Sequence, residues 1–471
     1  MWSGVPHFIL TDIFSHLPLV DIGQCLVVCQ NWYNILQDEF HWKNRISNDW
    51  GVTSLKQNIP CSWFSEYKRL HCMHSKRSST PWATLTVHED EVLHVTMSHC
   101  GHYISTSSKD KSVIIWKMSE YSAQSIAMFK RIYFPSWDAV FQSLFNDQDS
   151  LLLVSGVAQE PYVGEVMIYS FPKCKHIKTV NCMPYDSFGS WLGNTFFIVG
   201  DFDEMSYSAV VTMHSVFDNV SPKYVYTDPN SNPAYPYHCK AFETCNHRSN
   251  PNEKFLFYAC SQSTVVAHSL AVAVFTGIMD SNSEFERDGL LPFIEDSEDE
   301  NFNRRAFLKK QKTREPSDYT GTFKNVVELK AAVIGINANE NLEKVFVNCR
   351  SWLSEDNPSE ISMDIQLRIF DFDLNLLRTI TKAEAITPSH KFFLIHISSS
   401  EWYTISGDEK GKIHIFDSNY NIHVCTLSGH SDVVNCAVIS PINPHFICSV
   451  SDDHTVMFWD MNRAKRQSKV G

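Results

Sequence analysis

The sequence predicts a small all-α unit followed by an all-β propeller of about seven blades. Three observations carry this. Apolar residues recur at helical spacing over residues 5–46. From Trp82 onward, short apolar runs with period two alternate with turn residues. Within that region two distant segments, residues 84–116 and 426–460, repeat one pattern.

In the helical part, Pro6 suits a first helical turn, and Ile9, Ile13, Phe14 and Leu17 follow at helical spacing. Asp21 is expected to cap a second helix. Along it Ile22, Leu26, Cys29, Tyr33 and Leu36 share a stripe, with Cys25 and Trp32 beside them. Asp38 is expected to cap a third, carrying Trp42 and Ile46. Residues 61–74 read as one more helix, followed by a short linker from Lys76 to Thr80. Three short helices in about 40 residues make too small a core to stand alone without a metal, a disulfide or a partner. No CxxC pair and no zinc-finger spacing is present, so Cys25 and Cys29 read as small core residues. A partner is the remaining expectation.

Composition excludes several classes. With 40 Lys and Arg against 53 Asp and Glu the net charge is −13, which argues against the broad basic footprint of a nucleic-acid binder. No run of about 18 apolar residues predicts a membrane span, and the N-terminus lacks the pattern of a signal peptide. The 14 cysteines are scattered, which fits a reducing compartment: the cytoplasm, with the nucleus as the alternative. No cofactor motif is found, whether a phosphate-cradling glycine loop, HExxH or GxSxG.

In the β part, aligning the two clear segments places His88 on His430, Asp110 on Asp453 and Trp116 on Trp459. Further blade-like blocks run over 133–172, 183–215, 235–278, 328–373 and 389–418. The charged, turn-rich stretch 280–325 is expected to be a disordered insertion. In each clear repeat the His, a hydroxyl, the Asp and the Trp are expected to form a buried hydrogen-bonded chain in which the indole N–H finds its acceptor. His430, Ser449 or Ser451, Asp453 and Trp459 fill those roles in one, and His88, Asp110 and Trp116 in the other. A hydrolytic triad would not be copied from blade to blade, so these groups read as structural, and no catalytic residue is expected. The paired acids Asp452 and Asp453, and Asp371 and Asp373, fall at blade turns, where a solvated turn carboxylate outweighs a general acid.

Residues 5–42 resemble an F-box. The elements are Val5-Pro6, Ile13-Phe14, Leu17, Asp21-Ile22, Val28-Cys29, Trp32 and Trp42, with Val5 and His41 as departures. Residues 82–463 resemble a WD-repeat propeller, and the combined order is similar to the F-box/WD-repeat family. The resemblance implies an F-box over 1–50, a helical linker over 51–81, a propeller over 82–463 and a basic tail over 464–471. It implies a non-catalytic substrate receptor of a cullin-RING ubiquitin ligase. The helices would bind a Skp adaptor, and through it the cullin scaffold, while the propeller holds a protein substrate. Pro6, Phe8, Ile9, Leu10, Ile13, Phe14, Leu17, Leu26, Val27, Cys29 and Trp32 would then form the adaptor interface or its immediate support. The alternatives are a WD scaffold without a ligase role, and a receptor of the cullin-4 ligases. The latter carry blades ending Trp-Asp-x-Arg. Here the last blade reads Trp459-Asp460-Met461-Asn462, with Arg463 one place late.

Overall fold

The computed structural model describes residues 5–52, 62–74, 80–119, 122–182, 189–203, 208–217, 223–227, 238–246, 253–261, 269–276, 320–354, 357–386 and 394–461. The basic tail, most of the short linker and most of the expected insertion lie outside these residues.

The N-terminal part holds five helices: α1 (His7–His16), α2 (Leu19–Cys25), α3 (Gln30–Leu36), α4 (Glu39–Trp50) and α5 (Trp63–His74). The expected single helix from Asp21 is two, broken over 26–29. Cys29 is fully extended there, at φ −161° and ψ 163°, and β-branched Val27 and Val28 precede it. Asp21 is not a cap. Pro18 takes the N-cap position of α2 and Asp21 lies in its first turn, where the helix dipole favours a carboxylate. Leu17, held extended by the proline after it, ends α1. Asp38 does cap α4, its carboxylate accepting from the Phe40 N–H, and Gly51 closes that helix in the left-handed region at φ 64°.

The remainder is a ring of seven antiparallel sheets, spanning 92–133, 137–182, 189–227, 238–328, 331–386, 397–428 and 434–460. Buried apolar residues between neighbouring blades supply the core. The seventh blade is completed by Ala83–Leu85, which pairs with Val456–Asp460 in the register Ala83↔Phe458 and Leu85↔Val456. The repeat at 84–116 therefore straddles two blades. Its first strand belongs to blade seven and its remainder to blade one, so the two ends of the ring are tied by backbone hydrogen bonds. Thr320–Glu328 is the outer strand of blade four, paired with Ser269–Thr276. The expected insertion over 280–325 is corrected accordingly: its last six residues belong to a sheet.

The helices are not an appendage on a flexible stalk. One apolar cluster runs from Leu10, Phe14 and Ile35 through Trp42, Tyr67, Leu70 and Met73 into Tyr403, Tyr420, Ile422 and Val424 of blade six. Helix α5 lies on that blade.

Candidate functional site

Two sets of residues were expected to carry function, and the structure treats them in opposite ways. The first lies on α1 to α3. Leu10 and Phe14 are fully buried, and Leu17, Leu26 and Trp32 are half-buried against the same core, with the Trp32 ring edge-on to Phe14 at 5.3 Å. Pro6, Phe8, Ile9, Ile13, Val27 and Cys29 are exposed. Cys29 is thus not the core residue that its spacing suggested, because the α2–α3 break turns it outward. Four further apolar side chains stand out in solvent: Val20, Val28, Tyr33 and Phe40. Phe8 is 72% exposed, Val20 78% and Val27 81%.

What holds this face in shape lies behind it. Arg45 of α4 donates to the carbonyls of Phe14 (3.1 Å) and Leu17 (2.7 Å), satisfying the open C-terminal end of α1. Its Nε donates to the Tyr67 hydroxyl (3.1 Å), which donates to Asp49 (2.7 Å). Burial and then the Asp49 bond push the Tyr67 phenol up to about 12. Trp42 donates its indole N–H to the Leu36 carbonyl at 2.7 Å and packs on Phe64 and Tyr67 of α5. It braces the link to the propeller and takes no part in the exposed face. His41 beside it is buried and stays neutral, its pKa lowered by burial and by Arg45.

The second set is inside the propeller. In blade seven Trp459 Nε1 donates to Ser449 Oγ (2.9 Å), which meets His430 Nε2 (2.8 Å), while His430 Nδ1 faces Asp453 Oδ2 (3.0 Å). Ser451 lies elsewhere, on the Asp432 carbonyl. Blade one repeats the chain: Trp116 Nε1 to Thr106 (3.1 Å), Thr106 to His88 Nε2 (2.8 Å), His88 Nδ1 to Asp110 (2.7 Å). Thr106, which the sequence left unassigned, stands four residues before Asp110, as Ser449 does before Asp453. Each Asp also accepts the backbone N–H two residues on, from Ser112 and Thr455 at 3.0 Å. It thereby fixes a turn whose next residue, Lys111 or His454, is left-handed. Burial would raise these carboxyls. Hydrogen bonds from His88 and Ser112 win and hold Asp110 at about 2, and bonds from His430 and Thr455 hold Asp453 below its usual range. Gly429, just before His430, leaves room for the indole: a Cβ there would meet Trp459 Cη2 at 2.8 Å. The hydroxyls of Thr106 and Ser449 are buried and engaged by the Trp and His of their own blade. They have no approach for a substrate.

Blade six rewires the scheme. Its His comes from the third strand, His414 Nε2 meeting Asp408 Oδ2 at 2.9 Å. The last Asp of that strand, Asp417, turns instead toward α5.

The inner strands enclose a channel cavity of about 210 Å³. His94 and His396 meet in it edge to face, 4.8 Å apart. Burial lowers both, His396 to about 4, so the pair is neutral at ordinary pH. None of the described lining residues carries Lys, Arg, Asp or Glu. Among the described residues no group of three or more His, Cys, Asp or Glu is placed to hold a metal, and no helix is long and apolar enough to cross a membrane.

Comparison with known proteins sorts these two sets. Residues 2–47 match the F-box-like family model, and residues 79–117 and 421–460 match the WD domain, G-beta repeat. Along its whole length the chain is similar to F-box/WD repeat-containing protein 5 of Mus musculus, at 25% identity over 98% of this chain and 94% of the relative. The Homo sapiens protein of the same name is 24% identical over 98% and 95%. WD repeat-containing protein 26 homolog of Arabidopsis thaliana is 33% identical over 14% of this chain and 11% of its own length.

Proposed function

We propose that the chain is the substrate receptor of an SCF-type cullin-RING ubiquitin ligase, its helices binding a Skp-type adaptor and its propeller a protein substrate. The observation that carries this is the exposed apolar face made by Phe8, Ile9, Ile13, Val20, Val27, Val28 and Tyr33. A helix set that served only to pack on the propeller would have buried it. Here α5 packs on blade six and α4 packs on α5, while these side chains of α1 to α3 stay exposed. Solvated apolar surface costs about 25 cal/mol per Å², and a partner recovers that on docking. Such a receptor performs no bond chemistry. It holds a substrate lysine near a charged conjugating enzyme, so it works by proximity. The four-residue Trp–hydroxyl–His–Asp chains of blades one and seven fit this role as scaffold. The ten cysteines whose side chains are described are free thiols, which suits a cytoplasmic setting.

The cullin-4 alternative finds less support. Blade six ends Phe416-Asp417-Ser418-Asn419, without the arginine, and its Asp417 is bound by the chain's own α5. Among the described residues that line the channel none is cationic, so no anion-binding group supports a phosphorylated segment being read there.

The test is affinity capture with the intact chain and its Val27→Asp and Phe8→Asp variants. Removing residues 1–50 would strip apolar cover from α5, which seats on blade six, and confuse the result. Adaptor and cullin recovered with the wild type and lost with both variants support the proposal. Their absence from the wild-type capture sinks it.

A further inference from the structure

The underside of blade six holds a buried ionic cluster between residues 348 positions apart in sequence. Arg69, in the middle of α5, places Nη2 2.6 Å from Asp417 Oδ2 and 2.6 Å from Glu66 Oε1, with Nε 3.0 Å from Glu66 Oε2. Its guanidinium stacks over the rings of Trp402 (5.1 Å) and Tyr403 (5.4 Å). Asp417 is completely buried, and its other oxygen accepts the N–H groups of Asn419 (3.0 Å) and Tyr420 (2.8 Å). Burial pushes the Asp417 carboxyl up, and Arg69 is the charge that opposes this.

Burying two carboxylates and a guanidinium is a poor way to gain stability, because desolvation offsets most of the attraction. Such a cluster is better suited to choosing one arrangement among near-equivalents. A seven-bladed ring poses that problem: seven similar undersides are offered to one helix. Three of its blades end the third strand in a carboxylate: Asp371, Asp417 and Asp460. Across the sheet their register partners differ: Lys344 faces Asp371, Tyr403 faces Asp417, and Phe446 faces Asp460. In blade five the register partner of Asp371 offers no ring, since Lys344 sends its ammonium to the Ser418 carbonyl of blade six at 2.7 Å, and both oxygens of Asp371 are taken by Asp373 and Asn375 of its own turn. In blade seven the neighbouring pair is His445-Phe446, where blade six has Trp402-Tyr403. Among the described residues, blade six is the one that joins the carboxylate to two aromatic faces that match a planar cation.

We propose that Arg69 is a positioning residue, a register key that selects blade six as the one underside on which α5 seats. It thereby fixes the direction in which the exposed face of α1 to α3 points relative to the propeller. The seating itself does not depend on the receptor proposal; only its consequence for ubiquitin transfer does.

The experiment compares the intact chain with Arg69→Lys, Arg69→Met and the double variant Arg69→Met/Asp417→Leu. The readouts are hydrogen–deuterium exchange, small-angle X-ray scattering and thermal unfolding. Arg69→Met is expected to raise exchange at least tenfold in 39–50, 63–74 and 419–428, to enlarge the maximum dimension, and to leave blades one and two unchanged. Arg69→Lys, which keeps the charge but not the planar fork, is expected to fall between. The double variant removes Arg69 and Asp417 and leaves only Glu66 of the three charges, and is expected to regain part of the thermal stability lost in Arg69→Met while keeping the raised exchange and enlarged dimension. If it restores wild-type exchange and scattering, Arg69 and Asp417 are a replaceable pair and the proposal fails. It fails equally if Arg69→Met changes neither. Adaptor capture, which uses the opposite face, is expected to survive in every variant. Its loss from the wild type would overturn the receptor proposal and leave this one standing.

Discussion

The helical unit and the first and last blades depart from the usual inside-out order in opposite senses. Helices α1 to α3 hold large apolar side chains in water, while blades one and seven hold histidine, aspartate and hydroxyl groups in the dark. A group out of place costs free energy unless something answers it. Inside the blades the answer is within the chain, because each polar atom of the His–hydroxyl–Trp run has a partner at hydrogen-bond distance. On the helices no answer appears among the described residues. The same principle thus marks the one region as scaffold and the other as interface.

The largest expected effect tests the scaffold side. Trp459→Ala removes a fully buried indole and leaves Ser449 and His430 facing a void. The expected cost is about 3–5 kcal/mol, read as a lowered urea midpoint with the exposed apolar face of the helices untouched. A change near zero would mean that the blade-seven chain is not what holds that sheet.

Next is the channel. His94 and His396 are neutral when folded, with pKa values below the ordinary value near 6.5. A base whose folded pKa is depressed contributes stability above its unfolded pKa and loses it as pH falls toward the folded value. Stability should therefore decline between about pH 6.5 and 4, by about 2–3 kcal/mol for His396. His396→Leu should flatten that limb, which chemical unfolding at a series of pH values would show. The blade carboxylates act lower down. Asp110 sits at about 2 against an unfolded value near 3.9, so its contribution is present above about pH 4 and lost as pH falls toward 2. The two limbs separate the channel from the Trp–hydroxyl–His–Asp chains of the blades.

How legible these regions were in the sequence follows from the same contrast. Blades one and seven announced themselves because a buried polar chain needs particular residues at fixed spacing, and Thr106 was within reach of the alignment that paired Asp110 with Asp453. Middle blades without that chain showed only strand and turn patterning, and their edges stayed diffuse. The break between α2 and α3 was hidden because Leu26, Cys29 and Tyr33 keep helical spacing across it. Periodicity does not register a residue turned to φ −161°. The division of the F-box residues into support and face was equally hidden. It depends on which side α4 and α5 cover, and that was set by contacts such as Arg69 to Asp417, 348 positions away. Local spacing carries no information about such a pair.

Asp453→Ala is a smaller perturbation of the scaffold. It leaves the Ser431 and Thr455 N–H groups without their acceptor and takes from His430 Nδ1 one of its two partners, the other being Thr455 Oγ1 at 3.0 Å. A cost of about 1–3 kcal/mol is expected, with Asp110→Ala similar and also releasing Arg131, now 2.9 Å away. If His430→Ala is then added and the two losses are not additive, the pair acts as one network. Additive losses would show two independent contacts.

The smallest expected change in stability is the most telling for function. Val27 lies in the α2–α3 break, 81% exposed and outside the buried core. Val27→Asp should shift folding by no more than about 0.5 kcal/mol, since it removes nothing that the chain itself uses. Leu17→Asp or Trp32→Ala would not serve, because both side chains pack against the core. If the exposed face meets an adaptor, the new carboxylate is desolvated against an apolar partner. Burying one unpaired charge costs several kcal/mol, enough to weaken binding at least a hundredfold. The two readouts must part company: an unchanged unfolding midpoint with adaptor capture abolished. Equal binding by wild type and variant would place the contact elsewhere on the helices, and the difference between inward polar groups and outward apolar ones would lose its functional meaning.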